Sequence, residues 1–218
     1  MHTRLSRFIF LTLLSILLII ASSASAQVLY ENGPINGQEL GWTINFGFEL
    51  GDTFFLPNNS TVTGFSFGAW LTPGDVLESA EVSITSQVGG GTFYFDQQVD
   101  FTQSGCFLNN QAFEVCTETS AFNGPMLNAG TYWVNLGNAI TADGQPAYWD
   151  NNDGVGCHSL GCPSMASENG GDGSIPSEAF TVLGTSGGNG TTPEPDSLLL
   201  FASGVLSCGM ILRRKFLG

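Results

Sequence analysis

Apolar residues recur at every second position through most of this chain, and almost no stretch keeps the 3.6-residue period of a helix. Alternation of that kind suits strands with one face in a core and the other in solvent. Ile44, Phe46, Phe48 and Leu50 are expected on one side, with Asn45, Gly47 and Glu49 opposite. Phe65, Phe67, Ala69 and Leu71 repeat the pattern, as do Val82 with Ile84, Phe93 with Phe95, Val99 and Phe101, Tyr132 with Val134 and Leu136, and Phe180 with Val182. Turn chemistry separates these runs, in Pro57-Asn58-Asn59, Pro73-Gly74-Asp75, Gly89-Gly90-Gly91, Asn123-Gly124-Pro125, Asn128-Ala129-Gly130 and Asp143-Gly144. Short half-buried strands at this spacing predict an all-β chain with a single β-sandwich, jelly-roll-like, over residues 27–184.

Charge is partitioned along the chain. The five basic residues are Arg4, Arg7, Arg213, Arg214 and Lys215, so residues 27–192 hold no Lys or Arg, while 17 of the 19 acidic residues lie there. A domain with a formal charge of −17 cannot neutralise phosphates, which excludes nucleic acid as a partner and disfavours anionic membrane surfaces. Lysine nucleophiles and arginine clamps are excluded as well. Stability has to come from burial, hydrogen bonds, disulfides and bound cations rather than from Lys or Arg ion pairs.

The two basic ends read as targeting segments. Residues 1–26 have the form of a signal peptide, with Arg4 and Arg7 before an apolar run over 8–20 and Ala24-Ser25-Ala26 as a small-residue cleavage site. At the other end, residues 185–192 are a Gly/Ser/Thr tether, and residues 197–212 carry no charge. Those 16 residues are short against the roughly 20 that a bilayer core needs, and a transmembrane helix there relies on snorkelling of the basic end, Arg213, Arg214 and Lys215. That basic end would leave the C-terminus in the cytoplasm.

Pro193-Glu194-Pro195, then a short apolar span, then Arg213-Arg214-Lys215, closely resembles the PEP-CTERM sorting signal of exopolysaccharide-producing Gram-negative bacteria; it occupies residues 193–218. The resemblance implies processing by signal peptidase and by an exosortase, a membrane cysteine transpeptidase that cuts near Pro193-Glu194-Pro195. The product would pass from an inner-membrane-anchored precursor to the cell surface or the extracellular matrix. The strand Gly130-Thr131-Tyr132-Trp133 and the following Tyr148-Trp149 with its acidic Asn/Gly turn are also similar to segments of exported PEP-CTERM ectodomains.

Four cysteines remain in the exported part, an even number that suits an oxidising compartment. The local pairing, Cys106 with Cys116 and Cys157 with Cys162, closes the least chain. Zinc at Cys157, His158 and Cys162 is the competitor, but the spacing fits no zinc pattern. Asp150, Asn152 and Asp153 are candidate oxygen ligands for Ca²⁺, without the spacing of an EF-hand loop; an Asx-rich turn whose side chains bond their own backbone is the plainer reading. Trp133, Tyr148 and Trp149 are candidate stacking platforms for sugar rings.

No pattern of residues selects a catalytic pair from the 17 carboxylates, and no nucleophile elbow, metalloprotease helix or phosphate loop is present. The expectation is therefore a non-catalytic exported surface or matrix protein with extracellular polysaccharide as its candidate ligand. A Ca²⁺-dependent carbohydrate-binding or adhesion module and a secreted glycan-active hydrolase are the alternatives.

Overall fold

A computed structural model describes residues 26–38, 40–152, 164–169 and 173–187. The stretches expected to be a signal peptide, through Ser25, and a sorting signal, from Pro193 onward, lie outside the described residues, as do Asp153, Cys157, His158 and Cys162.

Among the described residues the chain is all-β, in two antiparallel sheets. Strands are numbered in chain order. The six-stranded sheet runs β13 (Gly173–Ile175), β12 (Ala166–Asn169), β3 (Glu49–Leu56), β10 (Gly130–Thr141), β5 (Leu77–Gln87) and β6 (Gly90–Asp100). The eight-stranded sheet is built around β4 (Ser60–Leu71). One side of β4 is covered by β14 (Phe180–Ser186), which carries β1 (Gln27–Glu31), and then by β11 (Tyr148–Asp150), which carries β2 (Gly41–Thr43). Its other side is covered by β9 (Met126–Leu127) and then β8 (Glu114–Ala121), beside β7 (Thr102–Leu108).

The two sheets share one core. Phe54, Val82, Ile84 and Val134 from the six-stranded sheet surround the same point as Val62, Phe65 and Val182 from the other. Each large apolar side chain taken out of water here contributes about 1.5–3 kcal/mol. Most of the alternation lands as expected: Phe65, Phe67, Ala69 and Leu71 are buried, as are Val82, Ile84, Tyr132, Val134, Leu136, Phe180 and Val182. Cys106 and Cys116 are bonded across β7 and β8.

Three expectations need correction. Residues 44–50 do not form one strand, because Phe46 (φ 58°) and Gly47 (φ 91°) both take left-handed backbone. Two successive positive φ values are the signature of a type I′-like turn, and Phe46 is left 64% exposed. Phe93 does not share the face of Phe95: the β5–β6 register shifts between Ile84 and Thr85, which pairs Phe93 with Thr85 on the outer face and leaves Phe93 52% exposed. Lastly, β14 runs on to Ser186, since Thr185 and Ser186 pair with Thr61 and Ser60, so the tether starts later than its composition implies.

Candidate functional site

On β10, Tyr132, Val134 and Leu136 enter the core, so Trp133, Asn135 and Gly137 face away from it. Register then assembles the outer face of the six-stranded sheet. Gly137 pairs with Glu49 on one side and Glu81 on the other, and Glu81 with Gln98. In the next row Asn135 lies between Gly51 and Ser83, and Ser83 pairs with Asp96. The third row holds Thr53, Trp133, Thr85 and Phe93. Strands lie about 4.8 Å apart, so the backbones of Glu49 and Glu81 are roughly 10 Å apart, as are those of Trp133 and Phe93.

Because Gly137 has no side chain, a pocket of about 110 Å³ opens between Glu49, Glu81, Ser83, Asn135 and Asn138. A Cβ at Gly137 would stand 3.3 Å from Glu49 Cγ and would narrow it. Asn138 takes the left-handed conformation that Asn tolerates (φ 48°), and its Nδ2 donates to Glu81 Oε2 at 2.5 Å. Asn135 is buried and pinned: its Nδ2 donates to Ser83 Oγ and Thr85 Oγ1, and its Oδ1 accepts from Gly89 N. Trp133 is half-buried beside Gly51.

The carboxyl groups of this face are electrically linked. Burial, and then the charges of Glu81 and Asp96, raise Glu49 above the usual carboxylate range, against a hydrogen bond from Asn169 that lowers it. Burial also raises Asp96, as do its hydrogen bond with Glu81 and the Glu81 charge. The face thus offers amides, hydroxyls and carboxyl groups that can donate or accept, bordered by an indole and a phenyl ring. An edge groove lined by Phe93, Tyr94, Asn123 and Pro125 adjoins it, with Tyr94 41% exposed.

The residues singled out in the sequence are scattered. Trp133 lies on this face. Trp149 is fully buried among Phe65, Phe67 and Phe180 at 5.6–5.8 Å, with Nε1 donating to Ala179 O, so it cannot stack on a sugar. Its place in β11, paired to the central strand β4, points it into the core. Tyr148 is half-buried on the other sheet, edge-on to Phe113. Asp150 accepts from Trp70 Nε1 at 2.6 Å and from the backbone N–H groups of Asn36 and Gly37, which fastens that loop to the sheet. Asn152 donates to Asn32 O. Among the described residues no three or more His, Cys, Asp or Glu side chains converge to hold a metal ion. Glu49, Glu81, Asp96 and Asn138 carry no local signal, because only strand register brings them together.

No protein-family model matches the chain, and no curated protein matches it.

Proposed function

We propose that this chain is an exported β-sandwich of jelly-roll type that binds neutral glycan on the outer face of its six-stranded sheet, at the cell surface or in the extracellular matrix. The observation that carries the reading is the row arrangement of that face. Trp133 and Phe93 stand on either side of Thr85, next to a pocket lined by Glu49, Glu81, Asn135 and Asn138. Apolar faces of sugar rings stack on aromatic side chains, while hydroxyls bond to amides and carboxylates. The lack of Lys and Arg in residues 27–192 favours a neutral polymer over an acidic one.

Export and sorting belong to the same proposal, supported by the order of Pro193-Glu194-Pro195, apolar span and basic end. Signal peptidase and an exosortase are the processing partners. Mass measurement of the released protein tests this part, and a mature chain that retains residues 198–218 refutes it. Glycan-array binding, with Trp133→Ala and Phe93→Ala beside the natural chain, tests the ligand. Retention of neutral glycan that both variants lose is the expected result, and retention unchanged in both overturns the site.

A second reading has its own observation. Glu49 and Glu81 flank a glycine in one pocket, and Glu49 is shifted toward the protonated form, the arrangement of an acid paired with a carboxylate. Turnover of a chromogenic glycoside that Glu49→Gln abolishes would make the protein a glycan hydrolase rather than a binding module.

A further inference from the structure

The interior holds a second polar cluster, unrelated to the outer face. Asn151 and Glu178 are partners in an antiparallel bridge, so their side chains leave the backbone on the same side. That side is the interior, because Trp149, two residues before Asn151, and Phe180, two residues after Glu178, meet in the core at 5.6 Å. From the opposing sheet Asp52 enters between Leu50 and Phe54, both core residues. Glu178 and Asp52 are 0% exposed and Asn151 is 2% exposed.

Hydrogen-bond bookkeeping in this corner does not close. Asp52 is well supplied: it accepts from Glu178 N at 2.7 Å, Thr53 N at 2.6 Å, Ser164 Oγ at 2.5 Å, Ser177 Oγ at 3.0 Å and Asn32 Nδ2 at 3.3 Å. Those bonds use the nearby donors. Among the described residues, both carboxyl oxygens of Glu178 and Oδ1 of Asn151 have no hydrogen-bond partner. Residues 27–192 hold no Lys or Arg to answer them. A buried carboxylate left in this state is far costlier than a buried neutral group, and three oxygens without a donor are the ligand set of a hard cation. Asp150 is too well bonded on the far side of its strand to take part.

We propose that Glu178 and Asn151, with the charge of Asp52 facing them from the other sheet, form an interior site for a hard divalent cation of the Ca²⁺ class that ties the two sheets together. Glu178 would supply both oxygens and Asn151 its amide oxygen, while Asp52, its own oxygens taken by donors, would add its negative charge from the opposing sheet. Main-chain oxygens and water would complete the shell, since among the described residues no group of three or more His, Cys, Asp or Glu side chains converges there. The competitor for the same site is a proton. Burial first, and then the charges of Asp52 and Asp150, push Glu178 well above the usual carboxylate range. A protonated Glu178 would instead donate to Asn151 Oδ1.

The two occupants separate cleanly in solution. The chelator-stripped full-length protein is titrated with Ca²⁺ and followed by thermal melting, and with Tb³⁺ followed by luminescence excited through tryptophan. The cation site predicts saturable binding of both, with a rise in Tm of roughly 5–10 °C at a hundredfold excess of Ca²⁺ over Kd. It also predicts loss of that rise in Glu178→Gln and its persistence in Glu31→Gln, on the exposed edge strand. Should Glu178→Gln not fold, Asn151→Ala weakening Tb³⁺ binding tenfold or more serves in its place. A natural chain whose melting ignores Ca²⁺ and which binds no Tb³⁺ overturns the site in favour of a protonated Glu178. A response that survives both Glu178→Gln and Asn151→Ala overturns it in favour of some other cation locus.

Discussion

Replacing Glu118 by Gln should change how stability depends on pH. Glu118 lies on β8 in register with Phe67, so its side chain turns into the core. It is 0% exposed, and among the described residues neither carboxyl oxygen has a hydrogen-bond partner. Burial alone raises its pKa from 4.5 to about 7. A raised folded-state pKa means that the folded state holds the proton more tightly than the unfolded chain. The contribution to stability is therefore complete below about pH 4.5 and is lost as pH rises to about 7. At about 1.4 kcal/mol per unit, that interval is worth about 3 kcal/mol, or roughly 10 °C in Tm for a domain of this size. Gln cannot ionise, so the stability difference between Glu118→Gln and the natural chain should move in favour of the variant by about 3 kcal/mol between pH 4.5 and pH 8. Urea unfolding of both proteins across that range measures it. The comparison concerns slopes, because a buried amide has its own pH-independent penalty, and Glu118→Leu should remove the same part of the pH dependence as Glu118→Gln. Parallel pH profiles for variant and natural chain would refute the reasoning.

Further outcomes follow from the same structure. Trp149→Ala should destabilise the protein by about 3–5 kcal/mol, read from urea unfolding, because it empties a site enclosed by Phe65, Phe67 and Phe180; Trp133→Ala should reduce glycan retention with a stability change under about 1 kcal/mol. Replacing Cys106 and Cys116 by Ser should lower stability by about 2–3 kcal/mol, the value expected for a cross-link between residues 10 apart, seen as a lower urea midpoint. Asp52→Asn should lower it by about 3 kcal/mol, since an amide nitrogen would face N–H and O–H groups that now donate to a carboxylate. Burial raises Asp52 to about 7 despite those donors, so the natural chain should lose stability from about pH 4 to pH 7, and Asp52→Asn should remove part of that loss.

How far the chain can be read in advance depends on the distance over which each feature is decided. The phenylalanines of β4 are legible because alternation is local: every second side chain shares a face whatever the strand pairs with. Phe46 was not, because a turn in mid-run resets the alternation, and its only local hint is the following Gly47. Phe93 was not legible either, since a register shift against β5 turned it outward. The candidate site lay further out of reach. Glu49, Glu81 and Asp96 stand on three different strands, and no spacing within the chain announces that Gly137 lies between the first two. With Trp149 composition misled outright, because an aromatic next to an acidic turn reads as a binding platform until the pairing of β11 with β4 points it inward.

By itself the sequence determined the β class and the confinement of every Lys and Arg to the two ends. Those are properties of composition and of period-two spacing, which no folding can alter. Tertiary structure decided which polar groups share a surface and which are sealed in. Asp150 and Asn151 are neighbours in sequence, yet one fastens a loop on one side of the strand and the other faces Glu178 in the interior. The reason is the pleat: adjacent residues of a strand point to opposite faces, so the side on which an acidic run acts depends on pairing partners far away in the chain.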